Sequence, residues 1–320
     1  MQRLKTLIAA LSLGLAAAVT TASAFAAQPL LTPKELQARL TDLNLRVIDI
    51  RDPKSYAAGH IPGAVSAPYA QWRGPAASPG ELPALPKLTA LVQGLGLTSA
   101  THAVVVSSGA DATDFGSSAR VYWTLKVLGL KDLSVLNGGV KAWSDAQLAQ
   151  NNEAVKIAAS SFQPQLDESL IASTEEVAQH VKAKDAVLID ARPAAFFNGE
   201  TRAPTAKVAG TLPDAVNLQH DKWFAPGSAT FMGAEQAKQV AASSQLDPGK
   251  ETVSFCNTGH WAATNWFAMS EVLGQKKVKL YPGSMAAWSQ DPNGLPIANA
   301  PNRAQQLLMD AKIWTAKALN

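Results

Sequence analysis

The chain has 320 residues, with 28 Lys+Arg against 25 Asp+Glu, a single Cys and five His. That balance, with no Lys/Arg run, gives no footprint for nucleic acid or a membrane surface. One cysteine excludes an internal disulfide and any multi-cysteine metal centre.

The chain opens with Arg3 and Lys5, followed by an apolar run from Leu7 to Val19 and a cluster of small residues ending Ala24-Phe25-Ala26. These are the n-region, h-region and A-x-A site of a secretory signal. The run falls short of the ~20 residues that span a bilayer. The expectation is a signal peptide over 1–27, cleaved near residues 24–27, and a periplasmic or equivalently exported mature chain without a membrane segment. Without Arg3 and Lys5 the formal charge falls from +3 to +1.

The remaining chain repeats itself. Arg46-Val47-Ile48-Asp49-Ile50-Arg51 returns as Val187-Leu188-Ile189-Asp190-Ala191-Arg192, the aspartates 141 positions apart. Leu136-Asn137-Gly138-Gly139 leading to Trp143 has its counterpart in Leu280-Tyr281-Pro282-Gly283 leading to Trp288, 145 positions on. Like offsets in like order imply two duplicated domains. In the first copy, short apolar runs at 46–50, 103–107 and 133–136 alternate with helical patterns such as 117–129, which ends at Gly129. Strand–helix alternation predicts an α/β fold, each domain a parallel sheet flanked by helices. The expected boundaries are 28–150 for the first domain, 151–168 for a linker with Asn151-Asn152 and Pro164, 169–300 for the second domain, and 301–320 for a helical tail. Leu307, Leu308, Ile313 and Trp314 make that tail amphipathic, and it is expected to pack on a domain.

The chemistry is expected at Thr252-Val253-Ser254-Phe255-Cys256-Asn257-Thr258-Gly259-His260-Trp261-Ala262-Ala263. An apolar strand pattern runs into Cys256, a loop with one glycine follows, and a helical pattern runs from Ala263 to Leu273. A lone exported thiol is buried and inert, paired between chains, or reactive. The end of a parallel strand before a helix N-terminus favours the last, because ligands bind at that sheet edge and unpaired N–H groups with a positive dipole collect there. In such a setting a thiol with an ordinary pKa of about 8.5 falls to roughly 3.5–7.5.

On these residues the chain resembles the tandem-domain rhodanese family. Asp49 to Val65, DIRDPKSYAAGHIPGAV, is similar to the family's D-x-R…Y-x-x-G-H-I-x-G-A-x motif. Gly138-Gly139…Trp143 is similar to its L-x-G-G-x-x-x-W ending, and the Cys256 loop resembles its six-residue active loop. The resemblance covers nearly all of the chain after the signal. It implies a thiosulfate- or mercaptopyruvate-type sulfurtransferase that needs no cofactor or metal. Cys256 takes up a sulfane sulfur as a persulfide, backbone amides of Asn257, Thr258, Gly259, His260, Trp261 and Ala262 hold the anion, and a thiol or cyanide accepts the sulfur. The first domain ends its corresponding strand in Val106-Ser107-Ser108-Gly109, without cysteine and with a loop to Arg120 read as longer, and is expected to be non-catalytic.

Departures from the family concern the donor. Asn257 and Thr258 are neutral where thiosulfate-specific relatives carry basic residues, and Gly259-His260-Trp261 replaces the Gly-Val-Thr of mercaptopyruvate-specific ones. Phe196 stands near the place of a donor-holding arginine, and Ala209-Gly210-Thr211-Leu212-Pro213-Asp214 replaces the second G-H-I-x-G motif. His260 has two readings: the loop's cation when protonated, with a pKa of about 6.5 if unperturbed, or a loop residue without a chemical role. Trp261 either walls the pocket or packs on the adjacent helix. Arg192 is either a second cation for the donor or an ion-pair partner of Asp190, itself a structural acceptor; Lys207 is a weaker candidate cation. A phosphatase or arsenate reductase reading fails because C-x5-R would need arginine where Ala262 stands. The alternative that survives is a persulfide carrier or sulfur-binding module serving a protein partner. Metal binding by His60, His102, His180, His220 and His260 is set aside, since none are spaced H-x-H or H-x-x-x-H.

Overall fold

The computed structural model describes residues 27–244, 246 and 249–318; the signal-peptide reading falls on residues outside these. Two parallel sheets carry the chain. The first contains β1 (Leu30–Leu31), β2 (Leu45–Asp49), β3 (Val65–Ser66), β4 (His102–Val106) and β5 (Leu133–Leu136), in the spatial order β1-β5-β4-β2-β3. The second contains β6 (Ala186–Asp190), β7 (Val216–Asn217), β8 (Glu251–Phe255) and β9 (Val278–Leu280), in the order β7-β6-β8-β9. The central strands are rich in β-branched residues and largely buried, as expected of strands covered by helices on both faces. β2–β4 and β6–β8 share one register, so Asp49 lies opposite Val106 as Asp190 lies opposite Phe255. A bridge from Ile171 to Leu280 stands where β1 meets β5 in the first sheet. The duplication read from the sequence is therefore a duplication of topology.

The strand-end Asp-x-Arg pairs fix the same corner twice. Arg51 closes a bidentate pair on Asp49 and reaches the Gly59 carbonyl at 2.7 Å, and Arg192 does the same with Asp190 and the Gly210 carbonyl at 2.7 Å. Where the second copy lacks the G-H-I-x-G motif, Thr211 donates to Asp190 Oδ2 at 2.7 Å, whereas His60 in the first copy faces the Tyr56 and Glu153 carbonyls.

The helix after β4 runs Ala112–Val127, five residues earlier than the apolar spacing predicts, because Asp111 caps it by accepting from the Asp114 N–H. The first-domain loop is therefore 107–111, the same length as 256–260, and not longer as the sequence reading had it; Arg120 lies well inside the helix. The helix is buried on nearly every face because the second domain covers the side its own sheet leaves open. Phe115 meets Phe224, Phe231 and Phe267 at ring-centroid distances of 5.1–5.6 Å, and Tyr122 meets Phe267 at 5.1 Å. One apolar core thus crosses from domain to domain. Polar contacts rim it, with Glu271 accepting from Tyr122 and pairing with Lys126.

Residues 151–167 run without helix or strand along the first domain, where Ser160 and Asp167 donate to the Gln93 and Val127 carbonyls. The tail helix Arg303–Ala318 docks through Met309 and an Arg202–Asp310 pair, leaving Leu307 and Leu308 exposed; the side chains of Ile313 and Trp314 lie outside those described. No helix among the described residues is long and apolar enough to cross a membrane.

Candidate active site

Cys256 follows β8 and is 1% exposed, a free thiol at the boundary of the two domains. The loop 256–260 joins it to the helix Trp261–Trp266, which widens into a π-helical turn over Phe267–Val272. The carbonyls of the loop are all drawn outward. Cys256 O accepts from Met285 N at 3.1 Å and Asn257 O from Ala286 N at 3.0 Å. Thr258 O accepts from Arg73 Nη2 at 2.7 Å and Gly259 O from Arg120 Nη1 at 3.2 Å. In a trans peptide the N–H points opposite its C=O, so the amides of Asn257, Thr258 and His260 turn inward, whereas the Gly259 N–H, expected among the anion's donors, is taken by Ser284 Oγ. Among the described residues the N–H groups of Asn257, Thr258, His260, Trp261 and Ala262 meet no acceptor. They form a concave set of donors of the kind that binds anions.

Two residues make this curvature possible. Gly259 has φ +67°, and a Cβ there would lie 2.6 Å from Arg120 Nη1 and 2.9 Å from the Pro282 carbonyl. Ser284 also adopts a left-handed φ of 52°, and its Oγ accepts from Cys256 N at 3.0 Å and Gly259 N at 3.1 Å while donating to Tyr281 O. It pins both ends of the turn.

Several side chains reach the loop from the first domain. Tyr69 donates to His260 Nδ1 at 2.8 Å, and Arg73 Nη1 donates to the Tyr69 hydroxyl at 3.3 Å. The opposite ring nitrogen, His260 Nε2, lies 2.8 Å from the Thr113 carbonyl and must carry the proton, since a carbonyl can only accept. Burial, with Arg73, His220 and Arg120 nearby, pushes His260 down to about 4 despite the Thr113 bond. The reading of His260 as a protonated donor-binding cation is thereby corrected. The ring is neutral at pH 7 because it is desolvated among other cations, and both its nitrogens serve the domain contact. Its backbone N–H remains in the cradle.

The other residues singled out from sequence are placed as follows. Arg192 is 1% exposed and bidentate on Asp190, so the ion-pair reading is what the geometry shows; its remaining Nη1 lies 3.4 Å from Asn257 Oδ1. Phe196 lies over that guanidinium, 5.8 Å from ring centroid to Cζ. Trp261 stacks on His220 at 4.8 Å, meets Phe196 edge-on at 6.1 Å and donates to Thr113 Oγ1 at 3.3 Å, so it forms a wall and a domain contact together. Ala262 is buried, its carbonyl accepting from Ser254 Oγ. Lys207 is exposed and its backbone N–H donates to Ser289 Oγ. Sequence reasoning missed Tyr69, Arg73, Arg120 and Ser284. Arg120 carried one signal, a basic residue between Ser117-Ser118-Ala119 and Val121-Tyr122-Trp123, small and apolar neighbours on both sides.

The family described as rhodanese-like domain matches residues 32–146 and 173–291. A protein of Pseudomonas aeruginosa named thiosulfate sulfurtransferase is 33% identical over 276 residues, covering 85% of this chain and 98% of its own. Another from that organism, named probable 3-mercaptopyruvate sulfurtransferase, is 33% identical over 296 residues, covering 84% and 97%. Among solved structures, the 3-mercaptopyruvate sulfotransferase SseA of Escherichia coli shares the fold, with a TM-score of 0.70 at 24% identity, over 80% of this chain and 98% of that one.

Proposed function

Because the chain belongs to the rhodanese-like domain family and is a sulfurtransferase, we propose that it moves a sulfane sulfur from a small anionic donor, thiosulfate or a close analogue, to a thiophilic acceptor through a persulfide on Cys256. The observation that carries this reading is the Cys256 loop, with four carbonyls tied outward and its free amides turned inward. In the first half-reaction the Cys256 thiolate attacks the outer sulfur of thiosulfate. The new S–S bond forms as the donor's S–S bond breaks, and sulfite leaves with the electron pair. In the second, cyanide or a thiolate attacks the outer sulfur of Cys–S–S⁻, and Cys256 departs as thiolate. Negative charge stays on sulfur throughout, and preorganised N–H groups stabilise it at no reorganisation cost.

The side chains at Asn257 and Thr258 contribute no charge, so donor binding rests on the amides and on cations brought from outside the loop. Arg192 acts through Asn257 because Asp190 already occupies its other nitrogens. The near-complete burial of Cys256 supports a second reading, a persulfide carrier that delivers sulfur to a protein partner.

Intact mass after thiosulfate treatment tests the first half-reaction: the expected gain is one sulfur atom, absent in Cys256→Ser. Steady-state assays with thiosulfate and mercaptopyruvate, against cyanide and a thiol, test the second. Uptake of sulfur without turnover on small acceptors would assign the carrier role, and no uptake from either donor overturns the persulfide. We also propose export to the periplasm, on the basis of the Arg3–Ala26 pattern; N-terminal sequencing of the secreted chain should begin near Ala27 or Gln28.

A further inference from the structure

Arg120 belongs to the first domain, yet it is fully buried, with 0% exposure, against the cysteine loop of the second. Nη2 donates to the Gly80 carbonyl at 2.7 Å and the Glu81 carbonyl at 3.4 Å, and Nη1 to the Gly259 carbonyl at 3.2 Å. Its Cζ lies 4.8 Å from the Trp123 ring, and its Nε is buried without an acceptor. Every hydrogen-bond partner is thus a neutral carbonyl, and among the described residues no carboxylate comes within ion-pair reach. The contrast is with Arg192, equally buried but answered by Asp190 at 2.6 Å. A charge taken out of water without a partner is costly, so Arg120 is held in a state that lacks one negative charge.

The charged and titratable groups around it are few. Arg73 and His260 add positive or neutral character, Tyr69 is a phenol that burial keeps protonated, and Glu81, whose carboxylate lies against Gly283, favours the Arg120 charge from beyond ion-pair distance. Cys256, which carries negative charge as thiolate or persulfide in the proposed cycle, is with Glu81 among the influences that keep Arg120 protonated against the pull of burial, which lowers it to about 9. The geometry points to Arg120 as the fixed counter-charge of the sulfur anion on Cys256: a positioning residue for sulfur transfer, supplied by the domain that has no cysteine. It acts without contact to the sulfur, by holding the Gly259 carbonyl outward and by compensating charge within a buried interface. The inference rests on the persulfide reading and adds that the first domain is part of the catalytic apparatus. It follows that a bound sulfur anion and a charged Arg120 stabilise one another, so loading tightens the domain contact.

The experiment compares full-length protein stripped with cyanide and loaded with thiosulfate, the state of each verified by intact mass, in thermal unfolding. Wild type is expected to gain about 2–4 °C on loading. Arg120→Lys keeps most of that gain, and Arg120→Gln loses it and sheds its persulfide at least about ten-fold faster. A purely structural role would lower Tm equally in both states and leave the loading increment intact, and that result overturns the inference. Wild type that takes up no sulfur sinks the persulfide reading itself and is told apart by its mass. Should Arg120→Gln not fold, Cys256→Asp against Cys256→Asn in the Arg120 background settles the point. A carboxylate beside a buried counter-charge gives the higher Tm at pH 7, whereas a more stable Asn variant overturns the assignment.

Discussion

The loops after β4 and β8 are the same structure put to different ends. Ser107 and Ser108 offer their carbonyls to Val140 and Lys141 at 2.9 Å, as Cys256 and Asn257 offer theirs to Met285 and Ala286. The five-residue loops then enter helices at Ala112 and Trp261. In the first copy, however, Asp114 folds its carboxylate back onto Gly109 N at 2.6 Å and Ala110 N at 3.3 Å. The amide cradle there is filled by an anion of its own chain. The equivalent position in the second copy is Ala263, which leaves the cradle open. The second difference lies beneath the loops. Gly139 packs so closely that a Cβ would meet the Ser107 carbonyl at 2.6 Å, while Ser284 in the same place inserts its hydroxyl under Cys256 and Gly259. A cysteine, a missing carboxylate and a serine separate the second copy from the first.

Changes that erase or exchange these differences should have graded effects. Cys256→Ser removes the only thiol, and a serine hydroxyl is too weakly acidic to replace it; sulfur transfer to cyanide falls to background, while the thermal midpoint stays within a few degrees of wild type. Retained transfer would show that sulfur travels by another group.

Ala263→Asp should import the first copy's internal anion. At the third position of the helix the carboxylate is favoured by the helix dipole and occupies the amides that would hold sulfur. Transfer should drop about 10²-fold, the scale of losing oxyanion donors, with the fold retained by circular dichroism. Activity near wild type would mean that the amides do not hold the sulfur.

Ser284→Gly removes the hydroxyl without forbidding the left-handed backbone. Two loop N–H groups lose their acceptor, so urea unfolding should report a loss of about 1–3 kcal/mol. Sulfur transfer should fall roughly ten-fold, as the loop is no longer pinned at both ends. A change in stability alone would make Ser284 a packing residue.

The smallest effect concerns pH. His102 and His260 are both pushed down to about 4, chiefly by burial, and His220 is lowered for the same reason. Between the ordinary value near 6.5 and about 4, the unfolded chain binds protons that the folded chain refuses, so the stability from neutral histidine is lost as pH falls through that window. Thermal midpoints should decline from pH 6.5 to 4, and His260→Gln should shallow that decline while leaving kcat/KM for thiosulfate without a new pH dependence between 6 and 8. A bell or step near pH 6.5 that disappears with His260→Gln would restore the protonated histidine.

Much of the fold was legible before any coordinates. The apolar runs that became β2, β4, β5, β6 and β8 are short, β-branched and bounded by turn residues. The repeat offset aligned the two sheets because topology is copied with the sequence. The site was legible only along the chain. Cys256 and its loop are contiguous, and a strand running into a glycine-containing turn and a helix marks a sheet edge by local chemistry alone. The start of the Ala112–Val127 helix was misjudged because a helix buried on all faces loses the apolar stripe by which its extent is read.

What the sequence by itself determined is the duplicated α/β architecture, the place of the lone thiol at a strand end, and the absence of charge from the side chains beside it. These follow from patterns with a period of a few residues, set by backbone geometry. Only the tertiary structure decided that the charge arrives from the other domain. Arg73 and Arg120 lie 185 and 139 positions from the loop carbonyls they hold, and Tyr69 lies 191 from the histidine to which it donates. No periodicity encodes such pairs, and burial at the domain contact is what lowers His260. A histidine's pKa depends on how much water its surroundings exclude, and the helix and tyrosine that exclude it here belong to the first domain.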